Sequence, residues 1–248
     1  MNHASLIADP RNAPRAPIID TPRPMSFAIL RNTHEAFRTS IRLQEQALEF
    51  GDETSFRGEW RAFQRALAVH AAMEDDAMFA LLDEAGAGAI TAAGLPEEHL
   101  EDERLAARVD TALAAGDLAL LCGTWAAWRD GHLHHLAHEE EIVTPLTMKT
   151  APTPQARGRI VHERILAPAE RLPDFDWAIG WVVRLLSEFG STAQPPRVAT
   201  RVYAWGLQNA CSRSQWRRLR PIVERNCTAA IWAEMAVQFG LDGEGAIG

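Results

Sequence analysis

The sequence predicts an all-α protein: an antiparallel up-down four-helix bundle with additional C-terminal helices. Three observations predict it. Apolar residues recur at the helical period from Ser26 onward, interrupted by Gly51-Asp52 and Gly116-Asp117 turns. Period-two runs of β-branched and aromatic residues do not occur, and the chain is rich in Ala and Leu. The chain also repeats itself. Shifted by 65 residues (99 − 34), His34 lands on His99, His70 on His135 and Glu74 on Glu139, while the first Gly-Asp turn lands on the second.

Residues 1–25 carry five prolines and little apolar pattern, so a flexible or draped tail is expected. The first helix is expected over 26–50, where Phe27, Leu30, Phe37, Ile41, Leu48 and His34 share one face. Thr54 is a candidate cap for a second helix over 54–83. A glycine-rich loop from Asp83 to Pro96 follows, and Pro96 suits the first turn of a third helix over 96–114. The fourth is expected over 117–144, ending near Pro145. Three parts result: the tail, a bundle over 26–150, and a helical extension over 151–248. The extension reads as short helices near 155–168, 174–189, 196–210, 213–226 and 228–239.

With 248 residues the chain can bury a sizeable core. Its net charge of −8 argues against nucleic acid as a partner. The acidity is uneven: residues 1–151 sum to −11 and residues 152–248 to +3. No apolar run is long enough for a membrane span, and no leader pattern opens the chain. Cys122, Cys211 and Cys227 form neither a disulfide framework nor a zinc motif, so a cytoplasmic location is expected. Homo-oligomers through the C-terminal helices are compatible with the pattern.

The repeat has a geometric meaning. The midpoint of His34 and His70 is residue 52, and that of His99 and His135 is residue 117. Both fall in turns, and in a helical hairpin residues equidistant from the turn lie level. Four histidines can therefore share one layer. His70 and Glu74 lie four apart, as do His135 and Glu139, so each pair shares a helical face. An apolar interior does not tolerate two unpaired carboxylates, so a cation must compensate them. Four nitrogens and two carboxylates suit two iron ions, with manganese or zinc possible.

The order His34, His70-Ala-Ala-Met-Glu74, His99, His135-Leu-Ala-His-Glu139 resembles the hemerythrin-like (HHE cation-binding) family over roughly residues 26–147. The resemblance implies a non-haem di-iron site in a four-helix bundle, with His34, His70, His99 and His135 as metal ligands and Glu74 and Glu139 bridging. Oxygen-carrying members resemble a five-histidine pattern, with a second histidine four residues after the first on the third helix. That position here is Glu103. The ligand number then favours reduction of dioxygen or peroxide, redox sensing or a response to nitric oxide over reversible oxygen carriage. An iron sensor or iron-homeostasis module without turnover is the alternative, and a purely structural protein the third reading.

Other residues have blander readings. Glu103, Asp75, Asp76, Glu140 and Glu141 read as solvated, although Glu103 is a candidate extra ligand. His132, His134 and His138 read as surface histidines or as supports for His135, with a zinc or copper ion on the His134–His138 i, i+4 pair as the alternative, and His3 and His162 as non-ligands. Cys122 reads as a buried structural thiol and Tyr203 as lying outside the bundle. The arginines from Arg213 to Arg225 read as a solvated face, or as an intramolecular match to the acidic bundle, on a helix shortened or kinked at Pro221.

Overall fold

A computed structural model describes residues 28–239. The proline-rich tail lies outside the described residues. Within them the secondary structure is helical and contains no strand. The first hairpin joins α1 (Ala28–Glu49) to α2 (Glu53–Met73). A π-helical turn, Glu74–Met78, continues α2 into α3 (Phe79–Gly86). A short helix α4 (Ala89–Ala93) leads to the second hairpin, α5 (Leu95–Ala115) and α6 (Leu118–Thr150). The extension holds α7 (Pro154–Ile160), a π-helical stretch Val161–Leu166, and α8 (Ala167–Ala169). It ends with α9 (Phe175–Phe189), α10 (Pro196–Ala210), α11 (Arg213–Asn226) and α12 (Ala229–Phe239).

Both hairpin turns use the same chemistry. Asp52 accepts from Ser55 N and Asp117 from Leu120 N, each capping the free amides of the next helix. The first cap is therefore Asp52, two residues before the expected Thr54. Gly51 and Gly116, both at φ 67°, end the preceding helices, where a Cβ would be strained.

Helix α6 runs past Pro145 to Thr150. Pro145 removes one amide, but it and Glu141, whose carbonyl loses that bond, both sit on the exposed face. Pro221 is tolerated inside α11 for the same reason, because it and Arg217 are exposed. The expected loop after Asp83 is partly helical. Asp83 accepts from Ile90 N at 2.6 Å and caps α4, which lies between Gly88 and Gly94.

The core centres on buried rings. Trp60 meets Trp128 edge-on at 4.6 Å, and Phe63 meets Trp128 at 4.9 Å. Trp181 from α9 enters the same cluster, 5.3 Å from Phe37 and 6.4 Å from Phe63. The extension thus shares apolar contacts with α1 and α2. Polar ties reinforce this: Thr192 N donates to Glu35 Oε2 at 2.6 Å, and Arg65 pairs with Asp174. Arg218 pairs with Glu170 and Asp176, so its acidic partners lie in the extension and not in the bundle. Cys122 is exposed, contrary to expectation, while Cys211 is buried. Cys122 falls on the outer face of α6, with its neighbour Leu121 turned inward.

Candidate metal centre

The hairpin geometry brings the histidines level in pairs. His34 Nε2 lies 3.1 Å from His70 Nε2, and His99 Nε2 lies 3.1 Å from His135 Nε2. Within each hairpin the two ring nitrogens are thus close enough to face a single ion. The two glutamates join the pairs. Glu74 turns Oε1 to His70 Nε2 (2.9 Å) and Oε2 to His99 Nε2 (3.5 Å). Glu139 Oε2 lies 3.2 Å from His34 Nε2 and 3.9 Å from His135 Nε2. Ligand atoms of His34, His70, Glu74 and Glu139 fall within 4.8 Å of one another, as do those of Glu74, His99 and His135. All six sequence-predicted residues therefore meet.

The π turn begins at Glu74. A π insertion shifts the phase of the helix by one residue, and such turns concentrate at functional sites. The second half carries Glu139 on regular α-helix.

Three of the four imidazoles are oriented from behind by carboxylates. His34 Nδ1 lies 2.9 Å from Glu140, His99 Nδ1 2.9 Å from Asp75, and His135 Nδ1 2.9 Å from Glu98. A carboxylate accepts, so Nδ1 donates and the lone pair of the neutral ring sits on Nε2, facing its partner. Arg38 donates to Glu140 at 2.8 Å and holds that acid in place.

Two buried carboxylates so close together are the test of fit for a cation. Among the described residues no well-formed hydrogen bond satisfies any of the four oxygens of Glu74 and Glu139; histidine Nε2 atoms and the other glutamate stand beside them. Burial and then the adjacent Glu74 push Glu139 up to about 8. Burial opposes ionisation of Glu74, but His70 and His99 hold it well below the usual carboxylate range. Burial also works against charge on His34 and His99, yet the carboxylates Glu139 and Glu140, and Glu74 and Asp75, raise them to about 9. His135 is pushed down to about 4 by burial and by His99. Protons thus stand where a metal would replace them, and the donor set suits a borderline divalent ion.

The remaining predicted residues separate. Glu103 is exposed and, among the described residues, belongs to no group of side chains placed to hold a metal. Asp76 and Glu141 are exposed as expected. Asp75 and Glu140 are not merely solvated, since each holds a histidine. The missed signal was their position, one residue after each predicted bridging glutamate in both halves. His132 is buried, not superficial, with Nδ1 3.2 Å from Asp102 and its ring stacked on Trp128. His132 and Asp102 replace Leu67 and Phe37 of the first half, so the repeat is broken by a polar pair. His138 shares Glu98 with His135, at 2.7 Å.

The family model for the hemerythrin HHE cation-binding domain matches residues 25–164. Comparison with curated proteins and with solved structures found no match. The match includes both hairpins and every residue of the paired histidine and glutamate clusters, and the chain belongs to the hemerythrin HHE cation-binding family.

Proposed function

We propose that this protein is a non-haem di-iron protein that binds or reduces dioxygen, peroxide or nitric oxide. One observation carries the reading: two Nε2–Nε2 pairs at 3.1 Å face two buried carboxylates that no well-formed hydrogen bond satisfies among the described residues. His34 and His70 would hold one iron, and His99 and His135 the other. Glu74 and Glu139 would bridge, with manganese or zinc as possible substitutes for iron. Bound iron would supply one-electron chemistry and open positions for a small ligand. Exposed Glu103 leaves the His99 side with two imidazoles, which favours redox chemistry over reversible carriage. The protein's own contribution is to fix ring orientation through Asp75, Glu98 and Glu140, and to keep the site apolar with Phe37 and Phe79 against His70 and His99.

The test is metal analysis with optical spectroscopy of anaerobically purified protein, before and after air or peroxide. About two irons per chain with a near-ultraviolet band on oxidation are expected. Zinc alone, or no spectral change, overturns the redox reading.

A sensor without turnover is favoured by one contact. Phe37 touches both the His70 ring (5.1 Å) and Trp181 (5.3 Å), a direct packing route from the centre to α9. Metal-dependent folding without oxidation of substrate would support it.

A further inference from the structure

A second cluster lies just outside the paired histidines. Glu98, His134 and His138 each offer one ligand atom, all within 4.8 Å of one another. His134 and His138 are one turn apart on α6, with ring centroids 5.9 Å apart and planes inclined by 26°. Glu98, from α5, places Oε1 2.7 Å from His138 Nδ1 and Oε2 2.9 Å from His135 Nδ1. His134 is exposed, and the other two are half-buried. The trio belongs to one half of the repeat only. The positions 65 residues earlier are Thr33, Val69 and Met73, which offer no imidazole or carboxylate. The cluster is therefore not a by-product of the symmetry that builds the central site.

We propose that Glu98, His134 and His138 form a separate mononuclear site for a divalent cation of the zinc or copper(II) type. Two imidazoles at i and i+4 with one carboxylate are a donor set for such ions, and the exposed side leaves a position for water. The ion would sit between His138 Nδ1 and Glu98 Oε1, which now lie 2.7 Å apart. Ligand atoms around tetrahedral zinc lie about 3.4 Å apart, so that contact need open by less than about 1 Å. Glu98 would then hold the ion through Oε1 and His135 through Oε2. Occupancy of the outer site draws charge from the carboxylate that orients a histidine of the inner one.

The experiment uses the full chain with its resident metals, quantified first, and Zn2+ as the probe. Calorimetric titration should show one further Zn2+ per chain, with resident metal unchanged on reanalysis. His134→Ala, at an exposed helical position that favours alanine, should weaken that binding by about 100-fold while leaving resident metal unchanged. The Glu74→Ala/Glu139→Ala variant should keep the extra equivalent, which separates this site from the central one. If that variant does not fold, the comparison of His134→Ala with wild type decides alone. Wild-type protein that takes up no further Zn2+, or a His134→Ala protein that binds it as tightly, overturns the proposal.

Discussion

Asp75 and Glu140 occupy equivalent positions of the repeat (140 − 75 = 65), and each accepts a hydrogen bond from a histidine of the opposite hairpin. Asp75, in the first half, fixes His99 in the second, and Glu140 fixes His34. The two hairpins are thus cross-braced through the rear nitrogens of the rings. Asp75→Asn and Glu140→Gln should each lower metal affinity by about 10–100-fold. Competition against a chromophoric chelator measures this, and unchanged affinity in both would remove the orienting role. Glu140 should matter more, because it is less exposed than Asp75 (24% against 47%) and also engages Arg38.

The bridging assignment predicts a sharper loss. In the Glu74→Ala/Glu139→Ala variant two buried anionic ligands disappear while the four imidazoles remain. Bound metal should fall to background by elemental analysis. Retention of a full complement of metal would refute the bridges.

The pH response of the metal-free protein follows from three raised groups. His34 and His99, at about 9, contribute stability that is complete below about 6.5 and disappears as pH rises through 9. Glu139, at about 8, is protonated in the fold but ionised in the unfolded chain above its ordinary range, and so acts in the same direction. The Tm of the metal-free protein should therefore fall between pH 6.5 and 9. Metal must displace the same protons, so affinity should rise over that interval. A Tm that climbs, or proton-independent metal uptake, contradicts this.

The extension is predicted to be needed for a well-behaved bundle. Trp181 is buried against Phe37 and Phe63, and replacing a buried tryptophan with alanine costs about 3–5 kcal/mol. Trp181→Ala should lower the denaturant midpoint accordingly. A chain ending at residue 150 should aggregate, because it exposes those rings. A monodisperse, cooperatively folding fragment would show that the contact is dispensable.

Much of this architecture was legible in the sequence because it rests on local periodicity and on one repeat. Most helix positions, both Gly-Asp turns and the meeting of the six candidate ligands follow from spacing alone. Spacing set His34 level with His70, whereas the 3.1 Å approach of their Nε2 atoms needed side-chain positions. The roles of Asp75 and Glu140 were hidden because acids beside a ligand also suit a solvated face. Burial of His132 was hidden because its partner, Asp102, lies on another helix, and the exposure of Cys122 depends on the rotation of α6. Helix α4 escaped notice because five residues between glycines carry no period, and its cap, Asp83, lies seven residues before Ile90.

The cross-bracing has a mass-action consequence. Each hairpin alone would carry two imidazoles, one of the two proposed bridging carboxylates and an acid suited to a ring it lacks. Two free copies could complete the centre only as a dimer, at a rate and yield set by protein concentration. The covalent connection through α4 replaces that encounter with an intramolecular one, whose effective concentration lies in the millimolar range for short linkers. Assembly of the centre should therefore be independent of dilution in the intact chain. Cleavage between Ala87 and Gly94 would make it dilution-dependent once the fragments separate.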